Sequence, residues 1–403
     1  PVVDPSLLDD ALATAAADGA WILPWGNADA AALLAAGRSD VLEEMRDRSA
    51  AALPGAAGTI DWPATPDLAT LAGTGGDVVV IHDHLAPAAE VRSYTPHAIG
   101  TLADRTAVVL DTALGDALTG SATVDGTGYG LADIQQRQYL AAATAVLVRE
   151  RPGDARAVFA AVPGDPEHAD LLETVAQLPW VTPTALGEAL ATETRTALEA
   201  SLLPVEPELT GAVTAGDLRL ADSTRETLEL FSEVVVDPEA TVEPLLADLA
   251  IVPSAAWRSA PGARALLLDS AATTAEAYAS GLTIRGASSI NMVSETANFP
   301  VTIVSSLPED AAVQVELLPS ERGLEQAEPV AVTVPAGGEV TAVVPVSGVG
   351  WGDITVEVHL AAPSGTQLGD AVEIPVRVRA NWESLGMTAL VLAGGLAFVV
   401  GIV

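Results

Sequence analysis

From Leu282 to Arg379 apolar and polar positions alternate with period two. Val301-Thr302-Ile303-Val304-Ser305 and Val313-Gln314-Val315-Glu316-Leu317 alternate cleanly, as do Val330–Val334, Val340–Val346, Ile354–Leu360 and Val372–Val378. Each reads as a half-buried strand. Turn clusters such as Pro308-Glu309-Asp310, Pro335-Ala336-Gly337-Gly338 and Pro363-Ser364-Gly365 separate them. About seven or eight short strands in roughly 100 residues predict an immunoglobulin-like or fibronectin-like β-sandwich over 282–380.

Before Leu282 the rhythm differs. Short apolar runs at Val2-Val3, Trp21–Pro24, Gly58–Trp62, Asp77–Asp83, Thr106–Asp111, Ala155–Pro163 and Trp180–Thr182 predict strands. Helical stretches lie between them at Pro5–Asp18, Ala28–Ala36, Asp40–Ala52, Thr65–Leu71 and Asp133–Arg149. Asp133-Ile134-Gln135-Gln136 has the D-x-x-Q form of a helix start. Repeated βα units imply a parallel sheet with right-handed crossovers, and this many strands suggests a (β/α) barrel-like domain over 1–186. Residues 187–281 are mainly helical, with Ser223-Thr224-Arg225-Glu226 read as a capping box, and form a helical appendage. Gly126-Thr127-Gly128-Tyr129-Gly130 reads as a flexible loop.

The last 19 residues, Leu385–Val403, carry no charge. At 1.5 Å per residue they extend roughly 28 Å, about the hydrocarbon thickness of a bilayer, which predicts a C-terminal transmembrane helix over 385–403. Ala389, Ala393, Ala397 and Gly401 form a small-residue face on which another membrane helix could pack. The chain begins with Pro rather than Met and is expected to be processed or partial. Together these features predict a cell-membrane protein, single-pass, with its bulk extracytoplasmic.

Composition narrows the function classes. The 403 residues hold 54 acidic and 18 basic side chains, a net charge of −36; all the basic residues are Arg. Such an excess works against nucleic-acid binding, which needs cations to displace phosphate counterions. Apolar residues make up 49% of the chain, so wholesale disorder is excluded, and with no Cys there are no disulfides. No P-loop, Rossmann glycine fingerprint, G-x-S-x-G or H-E-x-x-H occurs, and no cofactor is implied.

Candidate chemistry sits at strand ends. Asp4, Asp61, Asp83 and Asp111 each fall at or just after the end of a predicted strand; Asn27 and Asp29 follow another, and His82 and His84 flank Asp83. On one rim of a barrel these residues would line a ligand cleft, with Asp61, Asp83 and Asp111 as candidate catalytic acids and bases. Successive strand residues point to opposite faces, so only His82 and His84 could share a metal, and none is assigned. The competing explanation is that Asp after a strand starts a turn or caps the next helix.

The segments Val3-Asp4-Pro5-Ser6-Leu7-Leu8, Leu23-Pro24-Trp25-Gly26-Asn27-Ala28-Asp29 and Val376-Arg377-Val378-Arg379-Ala380-Asn381-Trp382-Glu383 resemble an actinobacterial family of envelope proteins, the domain-of-unknown-function family 6049. The resemblance implies an exported, single-pass protein whose partner is an integral membrane protein of cell-wall synthesis, the lipid II flippase among the candidates. It lends no catalytic residues. The expected function is therefore a docking partner in peptidoglycan precursor export or assembly. The alternatives are a wall-glycan hydrolase or deacetylase working at the barrel rim, or a degenerate barrel that binds a glycan ligand.

Overall fold

The protein is described here from a computed structural model. The structure describes residues 14–15, 17, 19–63, 67–85, 94–95, 97–102, 104–124, 126–162, 169–192, 196–197, 209–286, 290–292, 296–319, 324–325, 328–348 and 352–378. The chain divides into two compact units, Pro1–Ala215 with Ile251–Arg264, and Gly216–Ala250 with Ala265–Val403. The helices that the sequence groups at 187–281 are thus shared between the units.

The first unit is built on strands β1 (Trp21–Ile22), β2 (Gly58–Asp61), β3 (Val78–His82), β4 (Ile99–Leu102) and β5 (Arg105–Leu110), a hairpin of β6 (Ser121–Val124) and β7 (Thr127–Gly130), and the short β8 (Thr196–Ala197). The main sheet has the order β1-β2-β3-β5-β4-β8. β1, β2, β3 and β5 run parallel. β4 runs antiparallel to β5, and β8 follows β4. Helices Ala30–Ala35, Ser39–Ala52, Leu68–Gly73 and Thr112–Leu118 connect strands or follow them.

Both faces of this sheet are covered, as a parallel sheet requires. Val78, Val80, Ile99, Val108 and Leu110 pack with Phe159 and helix Leu186–Thr192 on one side. Val79, Ile81, Leu102 and Ala107 pack with Leu71 on the other. A third cluster joins helices Thr112–Leu118, Asp133–Glu150 and Ala169–Ala176 through Leu114, Leu140 and Leu171.

These observations correct the predicted barrel. A closed (β/α) barrel needs every strand in one direction and its two edge strands joined. Here β4 is reversed and, among the described residues, β1 and β8 do not pair, so the sheet is open. The predicted strand Trp180–Thr182 is not a strand, and Ala155–Pro163 supplies only one bridge among its described residues, Phe159 to Leu110. Gly126–Gly130, read as a loop, contains β7. Ser223 lies inside helix Ala215–Val234, where its hydroxyl donates to the Leu220 carbonyl rather than capping a helix start.

The second unit opens with helices drawn from Ala215–Val234, Pro238–Thr241, Glu243–Ala250 and Pro261–Ser280. Nine strands follow among the described residues: β9 (Leu282–Arg285), β10 (Ile290–Met292), β11 (Thr296–Ser305), β12 (Ala311–Pro319), β13 (Leu324–Glu325), β14 (Val330–Val334), β15 (Glu339–Gly348), β16 (Gly352–Ala361) and β17 (Gln367–Val378). They form two sheets, β10-β17-β16-β12-β14 and β13-β15-β11-β9. Alternate side chains are buried along each strand: Phe299, Val301 and Ile303 on β11, Val313, Val315 and Leu317 on β12, Val356, Val358 and Leu360 on β16.

The expected single-pass anchor, and the membrane localisation that rested on it, find no support in the described residues. Among the described residues no helix is long and apolar enough to cross a membrane. The two 20-residue helices are each interrupted by charge, Asp217, Arg219 and Asp222 in one, Arg264, Asp269 and Glu276 in the other. The stretch 385–403, with Ala389, Ala393, Ala397 and Gly401, lies outside the described residues, as does Asp4.

Candidate functional site

β3 and β5 end side by side, with His82 opposite Leu110. The chain then turns at Asp83–Leu85 after β3 and enters helix Thr112–Leu118 after β5. This brings His82, Asp83, His84 and Asp111 together at one end of the sheet.

Each has a local role. Asp111 is the N-cap of its helix and accepts the Leu114 N–H at 2.9 Å. Asp83 accepts the Thr112 hydroxyl at 2.5 Å and the His84 N–H at 2.8 Å. The His82 ring lies 5.9 Å from Trp62 and 5.6 Å from His84. Its Nδ1 is buried with no hydrogen-bond partner among the described residues.

Burial pushes the Asp111 carboxyl above its usual value; the N–H of Leu114 opposes the shift, and the Asp83 charge adds to it. Burial holds His82 below its usual value, reinforced by His84 and opposed by Asp83 and Asp116. The cluster thus favours a neutral imidazole and a carboxyl that ionises reluctantly.

Asp61 is not part of this cluster. It pairs in register with Val79, near the start of β3, and its carboxylate meets Arg105, the first residue of β5. That is the opposite end of the sheet from His82. Asp61 is 2% exposed. Its carboxylate accepts Arg105 Nη2 at 2.7 Å, the Gly76 N–H at 2.7 Å and Arg46 Nη2 at 3.4 Å. A Cβ on Gly76 would fall 2.9 Å from the carboxyl carbon, so Gly is required for that approach. Arg105 also donates to the carbonyls of Leu71 and Thr74, tying the end of helix Leu68–Gly73 to the sheet.

Asp29 is likewise buried and structural. Its Oδ1 accepts the Ala32 N–H at 3.2 Å and so caps helix Ala30–Ala35. Arg258 grips the same carboxylate in a fork, Nε to Oδ2 at 2.6 Å and Nη2 to Oδ1 at 2.8 Å. A backbone bond from Asp29 to Pro253 and a bridge between Ala28 and Ser254 complete the clamp. Asn27 is exposed at φ 51° in the turn Trp25–Asn27, a left-handed position that Asn tolerates.

Of the strand-end residues read from the sequence, the structure therefore gathers His82, Asp83, His84 and Asp111. It sends Asp29 and Asp61 elsewhere. Among the described residues no group of three His, Asp or Glu is placed to hold a metal ion. What the sequence did not disclose are the Arg partners. Arg105, opening an otherwise apolar strand, is the position where a buried cation could have been suspected.

A model of one family, described as a family of unknown function, DUF6049, matches residues 1–403. The chain belongs to that family. No curated protein matches it. Three solved structures resemble short parts of this DUF6049 protein. Native alpha-2-macroglobulin from Escherichia coli, from domain MG7 to the C-terminus, is 21% identical over 25% of this chain and 16% of its own, with TM-score 0.20. The cupredoxin domain of amoB from Nitrosocaldus yellowstonii is 17% identical over 24% of this chain and 88% of its own, with TM-score 0.18. The ASH/PapD-like domain of human CEP192 is 13% identical over 25% and 85%, with TM-score 0.18. Likenesses of this size do not carry the predicted immunoglobulin-like assignment.

Proposed function

We propose that this DUF6049 protein is a non-catalytic docking protein. The observation that carries the reading is the fate of the strand-end carboxylates: Asp29 and Asp61 are buried against Arg, and Asp111 caps its own helix. Among the described strand-end residues no pair of free carboxyl groups remains to act as acid and base across a cleft, as glycoside cleavage demands. The family resemblance supports a setting in peptidoglycan precursor export or assembly, with an integral membrane protein of cell-wall synthesis, such as the lipid II flippase, as partner. In-cell crosslinking of the tagged full-length chain, followed by mass spectrometry, tests this; one wall-synthesis protein should be enriched reproducibly. Turnover of wall glycan by the purified chain, lost in Asp83→Asn, would overturn it.

A second reading has one observation in its favour. The neighbouring, mutually tilted rings of Trp62, His82 and His84 beside Asp83 would suit the apolar face of a sugar. Glycan binding lost on His84→Ala, without turnover, would favour it over protein docking alone.

A further inference from the structure

Strand β9 ends one sheet of the second unit. It pairs with β11 through Leu282–Arg285 and with no other strand among the described residues. Among the described residues its outward N–H and C=O groups thus meet no further strand, which makes this edge a template for another one.

Beside this edge lies a groove of 730 Å³. Leu282 and Ile284 of β9 form one wall; Leu368 and Val372 of β17 form the other. The second wall cannot itself be extended. Its register against β16 shifts between Val358 and Leu360, and Gly369 sits at φ 65°, so β17 bulges where it faces the groove. A bulge bends an edge away from strand addition. β10 pairs with β17 only beyond this point, at Val376–Val378. One usable edge thus faces an apolar wall.

The charge around the groove is of one sign. Its ionisable lining residues are Glu276, on helix Pro261–Ser280, and Asp370, on the bulge. Arg285, at the far end of β9, is paired with Glu339 at 2.5 Å. The chain as a whole carries −36.

From this geometry we infer that the groove receives an extended segment of a partner protein in which apolar and basic side chains alternate. The segment adds to β9 as a fifth strand. Its apolar side chains enter between the Ile284 wall and the Leu368 wall, and its basic ones meet Glu276 and Asp370 at the rim. Four edge residues at about 3.4 Å each span about 14 Å, so roughly five residues of the partner suffice. This gives the docking reading a surface, but it stands on the second unit alone.

The test uses the full chain and three blocked, fluorescently labelled pentapeptides: Val-Arg-Val-Arg-Val, Val-Glu-Val-Glu-Val and Val-Arg-Pro-Arg-Val. Anisotropy should show the first binding at least tenfold tighter than the second. The third should lose at least tenfold, because Pro removes a ladder donor. Amide exchange at Thr283–Arg285 should slow when the first peptide binds. Asp370→Arg, on the exposed bulge, should reverse the preference between the basic and acidic peptides. Equal affinity for all three peptides, or unchanged exchange along β9, would overturn the inference. Failure of the crosslinking experiment with peptide binding intact would count against the docking reading alone.

Discussion

In the first unit the decisive Arg side chains are turned inward. Asp61 holds Arg105 and Arg46, and Asp29 holds Arg258, with both Asp residues 2% exposed. In the second unit the cross-strand ion pairs Arg285–Glu339 and Arg377–Asp353 lie on the surface. There the interior is made by alternate apolar positions such as Phe299, Ile303 and Val356. The difference follows from topology. Antiparallel neighbours are fixed by short turns and by a ladder whose register the apolar face enforces. A parallel sheet leaves long crossovers to be tied down. The first unit ties them with charge, across 44 residues from Asp61 to Arg105 and across 229 from Asp29 to Arg258.

This contrast can be broken at several points. The largest effects should come from Asp61→Ala and Phe299→Ala. Each is expected to cost about 3–5 kcal/mol, the first by leaving buried cations unpaired and the second by opening a cavity. Of the 7 Trp in the chain, Trp21, Trp25, Trp62, Trp180 and Trp257 belong to the first unit. Tryptophan fluorescence during urea unfolding should therefore shift strongly with Asp61→Ala and stay closer to wild type with Phe299→Ala.

Next in size is Asp29→Asn, which keeps a helix cap but loses the charged fork to Arg258. It should lower the first unit's stability by about 1.5–3 kcal/mol in the same assay.

A smaller effect depends on pH. Burial lowers the His82 pKa from its ordinary 6.5, so the unfolded chain binds this proton more readily than the folded one. Stability should fall as pH drops from 6.5 through the lowered folded value. His82→Phe should flatten the urea midpoint between about pH 7 and pH 5; an unchanged slope would remove His82 from the account. The smallest effect belongs to the surface of the second unit. Arg285→Ala should change its stability by about 0–1 kcal/mol, read by far-UV circular dichroism.

How much of this was legible depends on the range of the interaction. The strands β11, β12 and β14 to β17 fall where period-two alternation places them, because burial of one face is written in neighbouring residues. The open sheet was not legible in the same way. Ile99–Leu102, the reversed strand that prevents closure, has no local mark of direction, and β8 is two residues long. Asp133-Ile134-Gln135-Gln136 announced a helix start, though the cap is Ala132, whose N–H bonds Gln135 at 2.9 Å. The strand-end Asp residues were visible as a set, but their roles were not. A terminal Asp reads alike whether it caps a helix, grips an Arg or moves a proton, and the partner that decides lies far along the chain.

The central claim is that the buried strand-end carboxylates are fasteners of the first unit. A double-mutant cycle on Asp61 and Arg105, with Asp61→Ala, Arg105→Ala and the double variant unfolded in urea under tryptophan fluorescence, tests it most directly. Each single change should be strongly destabilising, with a coupling of about 1–3 kcal/mol between them. Single variants as stable as the wild type, with no coupling, would contradict it.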